Sequence, residues 1–428
     1  MTVAKLGMRG TGSWGTDVRP KNFREMILKL FPNGAVPLTA VLSMGKSKEV
    51  DDPEFSHWEK EVEVQGGDGQ NDDLYVDSDL TTLFGTGAWT AGDTAYFRTD
   101  STTVTHFRAG HVAKLVDKSA TSNFALAKVT GTNINGNSSW IAVKILVTLA
   151  AGFADDLDYI EVGGNLNPEG GAIPDAVNYD PVKRTNFTQI FRNPLDISRT
   201  AKKTRLRTGD AKAELKRETL LYHGIEMEWA MIFGEKSENT GDNGFPERTT
   251  EGLVPFVINN ESTYSVDFPS STGLKWIQGG EDWLDDQMEL HFRAGGQERF
   301  ALCGNGALLG IHKLVKRNGN YELRRTTAAY GVMVVEWVTP FGTLFLKNHP
   351  MFSHRGQVYH NDIISFDPAN VEYTFITDTI YKEDDGMSKA GVIGFDGQKD
   401  EYLTEAGLRM SHPKTMMYLT GVGNDGTA

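Results

Sequence analysis

The stretch DAKAELKRETLLYHGIEMEWAMIFGEK, residues 210–236, decides how the rest of the chain is read. It has no proline, and Gly224 is its one interior glycine. Ala211, Leu215, Tyr222, Ile225, Trp229 and Ile232 recur at three-, four- and seven-residue steps, which predicts an amphipathic helix with those residues as its apolar stripe. Asp210, after Gly209, is a suitable N-cap. Twenty-seven residues make a rod of about 40 Å. Strands and loops dominate on both sides of it, so the rod reads as a spine on which sheets are mounted.

The chain has 428 residues, 39% of them hydrophobic, with 46 glycines and a net charge of −14. That is enough for a sizeable core in several domains, with many turns. The acidic balance argues against a free duplex-DNA binder. A single cysteine, Cys303, excludes an intramolecular disulfide and a cysteine-rich zinc site. Residues 1–15 are polar and glycine-rich and carry no secretion-signal pattern, and the longest apolar run, at 141–153, is broken by Lys144 and too short to span a membrane. The glycosylation patterns at Asn137 and Asn186 are therefore read as chance. Charge is segregated: residues 51–100 hold thirteen acidic and two basic side chains, and residues 181–236 hold twelve basic and seven acidic. Complementary blocks suit docking between subunits.

Working outward, residues 54–64 (EFSHWEKEVEV) alternate with period two, as do residues 183–192 (KRTNFTQIFR). The first is acidic and the second basic at its ends, so the two are expected to pair antiparallel as arms of one long hairpin. Acidic or glycine-rich links at 66–79 and 163–171 bracket an insertion at 68–165. Its short strands, at 93–98, 103–107, 111–117, 124–130, 140–148 and 157–162, predict a small all-β barrel or sandwich. Residues 1–36 read as an arm with a short helix at 22–31. After the spine, 253–259 is expected as a strand and 281–292 as a helix between glycine pairs. Further strands are expected at 300–303, 330–337, 343–346, 363–366, 372–375, 403–410 and 415–419, and a helix at 307–313.

No stretch poises an acid, a base or a nucleophile. Gly10, Gly12 and Gly15 satisfy G-x-G-x-x-G but lack the strand before and the helix after that a dinucleotide site needs. His349, His354, His360 and Asp362 cluster without helical metal-ligand spacing, and His106 and His111 carry no more signal. Asp155, Asp156 and Asp158 lack the glycine and terminal glutamate of a calcium loop. Cys303 sits in an apolar strand as a small core residue. No enzyme, cofactor or metal is expected. The basic run 199–207 (RTAKKTRLR) fits a neighbour's acidic surface at least as well as phosphates. The candidate intersubunit contacts are Phe55, Trp58, Glu59, Glu61, Lys183, Arg184, Phe187, Phe191, Lys202, Lys203, Arg205 and Arg207.

The order of parts resembles the major capsid proteins of tailed bacteriophages with the Hong Kong 97-like fold. Residues 23–42 (FREMILKLFPNGAVPLTAVL) followed by 55–59 (FSHWE) resemble the entry into that family's extended loop. Residues 186–190 (NFTQI), 196–198 (DIS) and the long helix resemble its exit and the spine. Residues 300–311 and 330–352, with Phe341 and Gly342, resemble the axial domain, and 401–422 the closing strands of the peripheral domain. The resemblance implies an α+β fold with these parts: an N-terminal arm (1–36), an extended loop and its base (37–67 and 166–195), an inserted β domain (68–165), a peripheral domain (196–280 and 386–428) and an axial domain (281–385). It implies a structural protein that assembles with itself as hexamers and pentamers into an icosahedral head around double-stranded DNA, without sequence-specific binding and without a membrane. Assembly in the host cytoplasm, a separate scaffold, a portal and minor or decoration proteins belong to the same expectation. Two alternatives stand beside it: a cellular nanocompartment shell of the same fold, and a β-rich tail or carbohydrate-binding structural protein.

Overall fold

The computed structural model describes residue 38 and residues 46–62, 64–84, 89–148, 157–171, 173–204, 210–318, 323–327, 333–354, 358–383 and 397–424. The expected N-terminal arm and its helix lie outside the described residues, as do Arg205 and Arg207. The chain divides into two compact units, residues 60–182 and the body formed by residues 1–59 and 183–428. Each has its own apolar core.

Residues 60–182 form a closed barrel of six strands. Around it the order is Gly66–Tyr75, Thr94–Thr99, Ser139–Ile145, Phe124–Asn133, His111–Val116 and Tyr159–Asn165, all antiparallel, with the last pairing back to the first. Period-two alternation fills the interior: Ala95 and Phe97, Ala113 and Leu115, Ala125, Ala127 and Val129, and Ile141, Val143 and Ile145 all point in and are buried. Mixing alanine with larger side chains lets so narrow a barrel close without voids.

Two expectations fail here. Residues 103–107 are not a strand: Ser101–Val104 is a helical turn whose N-cap, Asp100, accepts from the Thr103 amide at 2.6 Å. The missing strand comes from the stretch read as a link. Its glycines mark close packing: a Cβ on Gly67 would lie 2.1 Å from Thr103 Oγ1, and one on Gly66 would lie 2.7 Å from the Ile160 carbonyl oxygen.

The body is mixed α+β. One sheet of seven strands runs in the order Ser265–Asp267, Met417–Thr420, Ile363–Phe366, Glu298–Cys303, Thr343–Asn348, Met333–Val338 and Leu323–Thr327. A second sheet of four runs Lys46–Glu49, Val371–Lys382, Gly397–Met410 and Gln189–Ser198. Helix Trp276–His291 buries Trp276, Trp283, Leu284, Met288 and His291. The glycine pair expected to precede it lies inside it, because Gly280 makes room for the Trp276 ring, which a Cβ there would approach to 2.8 Å. Residues 253–259 also depart from expectation and form helix Leu253–Asn260. Its first five residues are all buried, so the run is apolar on every side and period alone cannot separate helix from strand.

The spine is helix Ala211–Phe233, about 35 Å long, with the Asp210 carboxylate accepting from the Lys212 amide at 3.0 Å. Its stripe is only partly the expected one, Ile232 being buried as expected. The buried residues are His223, Met227, Glu228, Ala230, Met231 and Ile232, while Tyr222 and Trp229 face outward. Two polar side chains occupy the buried face because partners meet them there. His223 bonds Asn193 and, at 2.7 Å, Thr404 Oγ1. The Glu228 carboxylate accepts from His349 Nε2 at 2.7 Å and from the Leu38 amide at 2.6 Å. At its C-terminal end Gly234 lets the chain turn tightly: a Cβ there would meet the carbonyl oxygens of Ala230 at 2.4 Å and Thr250 at 2.7 Å.

Candidate functional site

The two alternating stretches do pair. Glu54–Glu59 and Val182–Phe187 form a two-stranded sheet, at whose ends the chain leaves the body and returns to it. Alternation turns Phe55 and Glu59 inward and Trp58 outward, where it is 65% exposed. Arg184 clasps the pair, donating to Glu59 Oε1 and to Asn260 Oδ1. The His412 amide, on backbone with φ of 54°, donates to Glu59 Oε2 at 2.7 Å. Burial alone would raise the Glu59 pKa, but the His412 amide and the Arg184 guanidinium outweigh it and hold the carboxyl below its usual range. Burial lowers the pKa of neighbouring His57, helped by Arg409, Arg184 and His412 and opposed by Glu59.

Asn186 seals the return strand into the body. Its amide nitrogen donates to the carbonyl oxygens of Leu408 at 2.8 Å and Glu251 at 3.1 Å, and its oxygen accepts from the Glu251 amide at 2.8 Å. A side chain so buried and so fully bonded is no glycosylation acceptor.

Several candidate contacts are therefore spent inside the chain. Phe55 lies buried under the Arg409 guanidinium, 5.9 Å from its ring centre. Glu59 and Arg184 form the clasp, and Phe191 is a core residue edge-on to His223. Their placement has one cause: charge and alternation are visible in sequence, but which face meets the body is not. Phe187 is half-buried, with the Lys236 ammonium 5.2 Å from its ring, and Glu61 is half-buried. Trp58, Lys183, Lys202 and Lys203 are exposed, although Lys202 also donates to Gln398 Oε1 at 2.7 Å.

Pattern reading missed a surface on the spine itself. Tyr222 (53% exposed) and Trp229, seven residues apart on one side of the helix, look outward, and Ile190 (58%), on the edge strand Gln189–Ser198, lines the same groove as Trp229. A groove of about 460 Å³ runs between strand and helix, lined by Ile190, Phe191, Arg192, Glu226 and Trp229.

Of the residues weighed for metal chemistry, His349, Asp362 and Asp158 are engaged within the fold, whereas His106, His111 and His360 each keep an unpartnered buried Nδ1. His349 bonds Glu228, and Asp362 accepts from the Tyr418 hydroxyl at 2.6 Å. Asp158 accepts from the Lys118 amide at 2.8 Å, while Asp155 and Asp156 lie outside the described residues. Among the described residues no group of three or more His, Cys, Asp or Glu is placed to hold a metal ion. Cys303 is wholly buried, and burial pushes its thiol far above the usual range.

The profile of the SU10 major capsid protein family matches residues 7–423. A major capsid protein of Pseudomonas phage PaMx41 is 24% identical over 435 residues, covering 96% of each chain. Among solved structures, a chain of Mycobacterium phage Bobi is 8% identical, with 95% of this chain and 96% of that one covered and a TM-score of 0.46. A chain of Microbacterium phage Oxtober96 is 10% identical, with 94% and 96% covered and a TM-score of 0.45. Because the profile runs through both compact units, the chain belongs to the SU10 major capsid protein family, and it is a structural protein of a tailed-phage head, not an enzyme.

Proposed function

We propose that the chain assembles with copies of itself, as a Hong Kong 97-like subunit, into the hexamers and pentamers of an icosahedral shell around double-stranded DNA. The observation that carries this reading is the set of large apolar side chains left outside two well-filled cores: Trp58 on the departing strand, Tyr222 and Trp229 on one side of the spine, and Ile190 on the edge strand. A solitary chain gains nothing from exposing them together, whereas repeated contacts around a closed shell add avidity to each.

In this reading residues 37–67 and 166–195 are the extended loop and its base, and the barrel is a domain carried in that loop. Residues 196–280 and 386–428 are the peripheral domain, residues 281–385 the axial domain, and residues 1–36 an arm reaching neighbours. Trp58, Glu61, Lys183, Lys202 and Lys203, with Arg205 and Arg207, are its subunit contacts. Net negative charge suits a wall along which packaged DNA slides. Cryo-electron microscopy of purified full-length protein tests the proposal. Closed shells of uniform size are expected. A monodisperse monomer at high protein concentration would overturn it.

A further inference from the structure

The barrel carries two lysines, Lys128 and Lys144, whose placement does nothing for its own fold. Residues 60–182 hold seventeen acidic and seven basic residues. Three of those seven, Lys114, Lys128 and Lys144, stand on one outer wall. The strands His111–Val116, Phe124–Asn133 and Ser139–Ile145 are neighbours. With Ala113, Leu115, Ala125, Ala127, Val143 and Ile145 pointing inward, alternation sets the three lysines on the outside, with Leu126 directly across from Lys114 and Phe124 next along the same face. Leu146 continues the wall, its amide donating to the Leu126 carbonyl at 2.9 Å.

Lys128 lies directly opposite Lys144 across the strand pair. Like charges in that position destabilise a sheet, and neither lysine has an ion pair among the described residues. Lys114 reaches Glu161 at 3.3 Å and lies 5.1 Å from the Phe124 ring centre. An apolar patch beside the uncompensated pair Lys128 and Lys144 fits an anionic partner that also has apolar side chains.

The same barrel supplies that complement. After strand Gly66–Tyr75 the turn presents Asp77 and Asp79 beside exposed Val76 and Leu83. Asp77 accepts from the Thr81 amide at 2.9 Å and the Thr82 amide at 3.0 Å, which fixes the turn. Those bonds hold its carboxyl down to about 2, so it stays ionised. We propose that the lysine wall seats the acidic turn of a second copy's barrel. The inference rests on the self-assembly reading and gives it a specific contact. Duplex DNA would satisfy the lysines but not Phe124, Leu126 and Leu146, which favours a protein surface.

The test uses the full-length protein. Lys128→Glu with Lys144→Glu is expected to raise the protein concentration needed for assembly by roughly tenfold at low salt. Adding Asp79→Lys should recover most of that loss. The single change Lys128→Glu separates contact from fold: it converts a like-charge pair into an opposite one, so thermal stability of the unassembled chain should hold or rise while assembly weakens. Variants that assemble as the wild type does would overturn the inference. So would a variant that loses binding to a duplex oligonucleotide with assembly unchanged. Failure of the wild type itself to assemble would sink the self-assembly reading instead.

Discussion

Glu59 shows how one carboxylate can fix a chain crossing. It is almost fully buried, and its two oxygens serve a guanidinium on the return strand and an amide near the closing strands of the body. Removing it leaves Arg184 and the His412 amide short of a partner, so Glu59→Ala should cost about 3 kcal/mol in urea unfolding at neutral pH. Its folded pKa lies below the unfolded value, so this stabilisation is complete above the ordinary carboxylate pKa and fades as pH falls through the lower folded value. The gap between wild type and variant should shrink in acid. A gap that stays constant there would show that packing, not the ion pair, accounts for the cost. Asp362 runs the other way. Burial raises its pKa to about 6, against the Tyr418 hydroxyl bond that lowers it. The folded state then holds the proton more tightly than the unfolded chain, so its contribution is lost as pH rises through about 6. Relative to Asp362→Asn, the wild type should lose about 1 kcal/mol between pH 5 and pH 7, measured by denaturant unfolding of both proteins. Equal pH dependence in the two would contradict the assignment.

At the scale of elements, the spine was legible as a helix and illegible as a surface. Its length, its Asp210 cap and its lack of proline are local properties, and local properties survive in sequence. Its buried face depends on what lies across from it. Hydropathy placed Tyr222 and Trp229 inward, yet the helix turns His223 and Glu228 inward because Asn193, Thr404, His349 and the Leu38 amide are waiting for them. No periodicity records partners that are 30 to 190 residues away. The link at 66–79 failed for a related reason, since a glycine that permits close packing looks in sequence like one that permits flexibility. The spine remains the rigid member of the body, and Ile225→Pro should cost about 3 kcal/mol or more through a lost backbone bond and a ring clash. Hydrogen exchange should report the loss in strands Gln189–Ser198 and Gly397–Met410, which flank the helix, while the barrel strands keep their protection. Unchanged exchange in those two strands would show that the sheet stands without the spine.

At the scale of the whole molecule, two cores and one crossing sheet imply that the units are separable. The hairpin arms were readable because two alternating, oppositely charged stretches lie more than a hundred residues apart, and the strands between them had a spacing of their own. The compact unit spans 60–182, wider than the expected insertion at 68–165, with Tyr179 bonded to Gln65 and its ring 5.6 Å from that of His106. The barrel closes on itself and leaves no open sheet edge, so its backbone bonds need nothing from the body. The body's cut ends lie close together, since Arg184 of the return strand touches Glu59, the last residue before the crossing. Replacing residues 60–182 with a short glycine linker should therefore leave a folded body. Closing a short loop there costs little entropy, and the core around Met231, Leu302 and Phe352 is untouched. The expected result is a soluble chain whose two sheets keep their hydrogen-exchange protection and whose melting temperature changes by only a few degrees. Loss of protection in strands Val371–Lys382 and Gly397–Met410 would show that the body depends on the barrel. If the shortened chain folds but no longer forms shells, the barrel's contribution lies in contacts between subunits, where its lysine wall and acidic turn are placed.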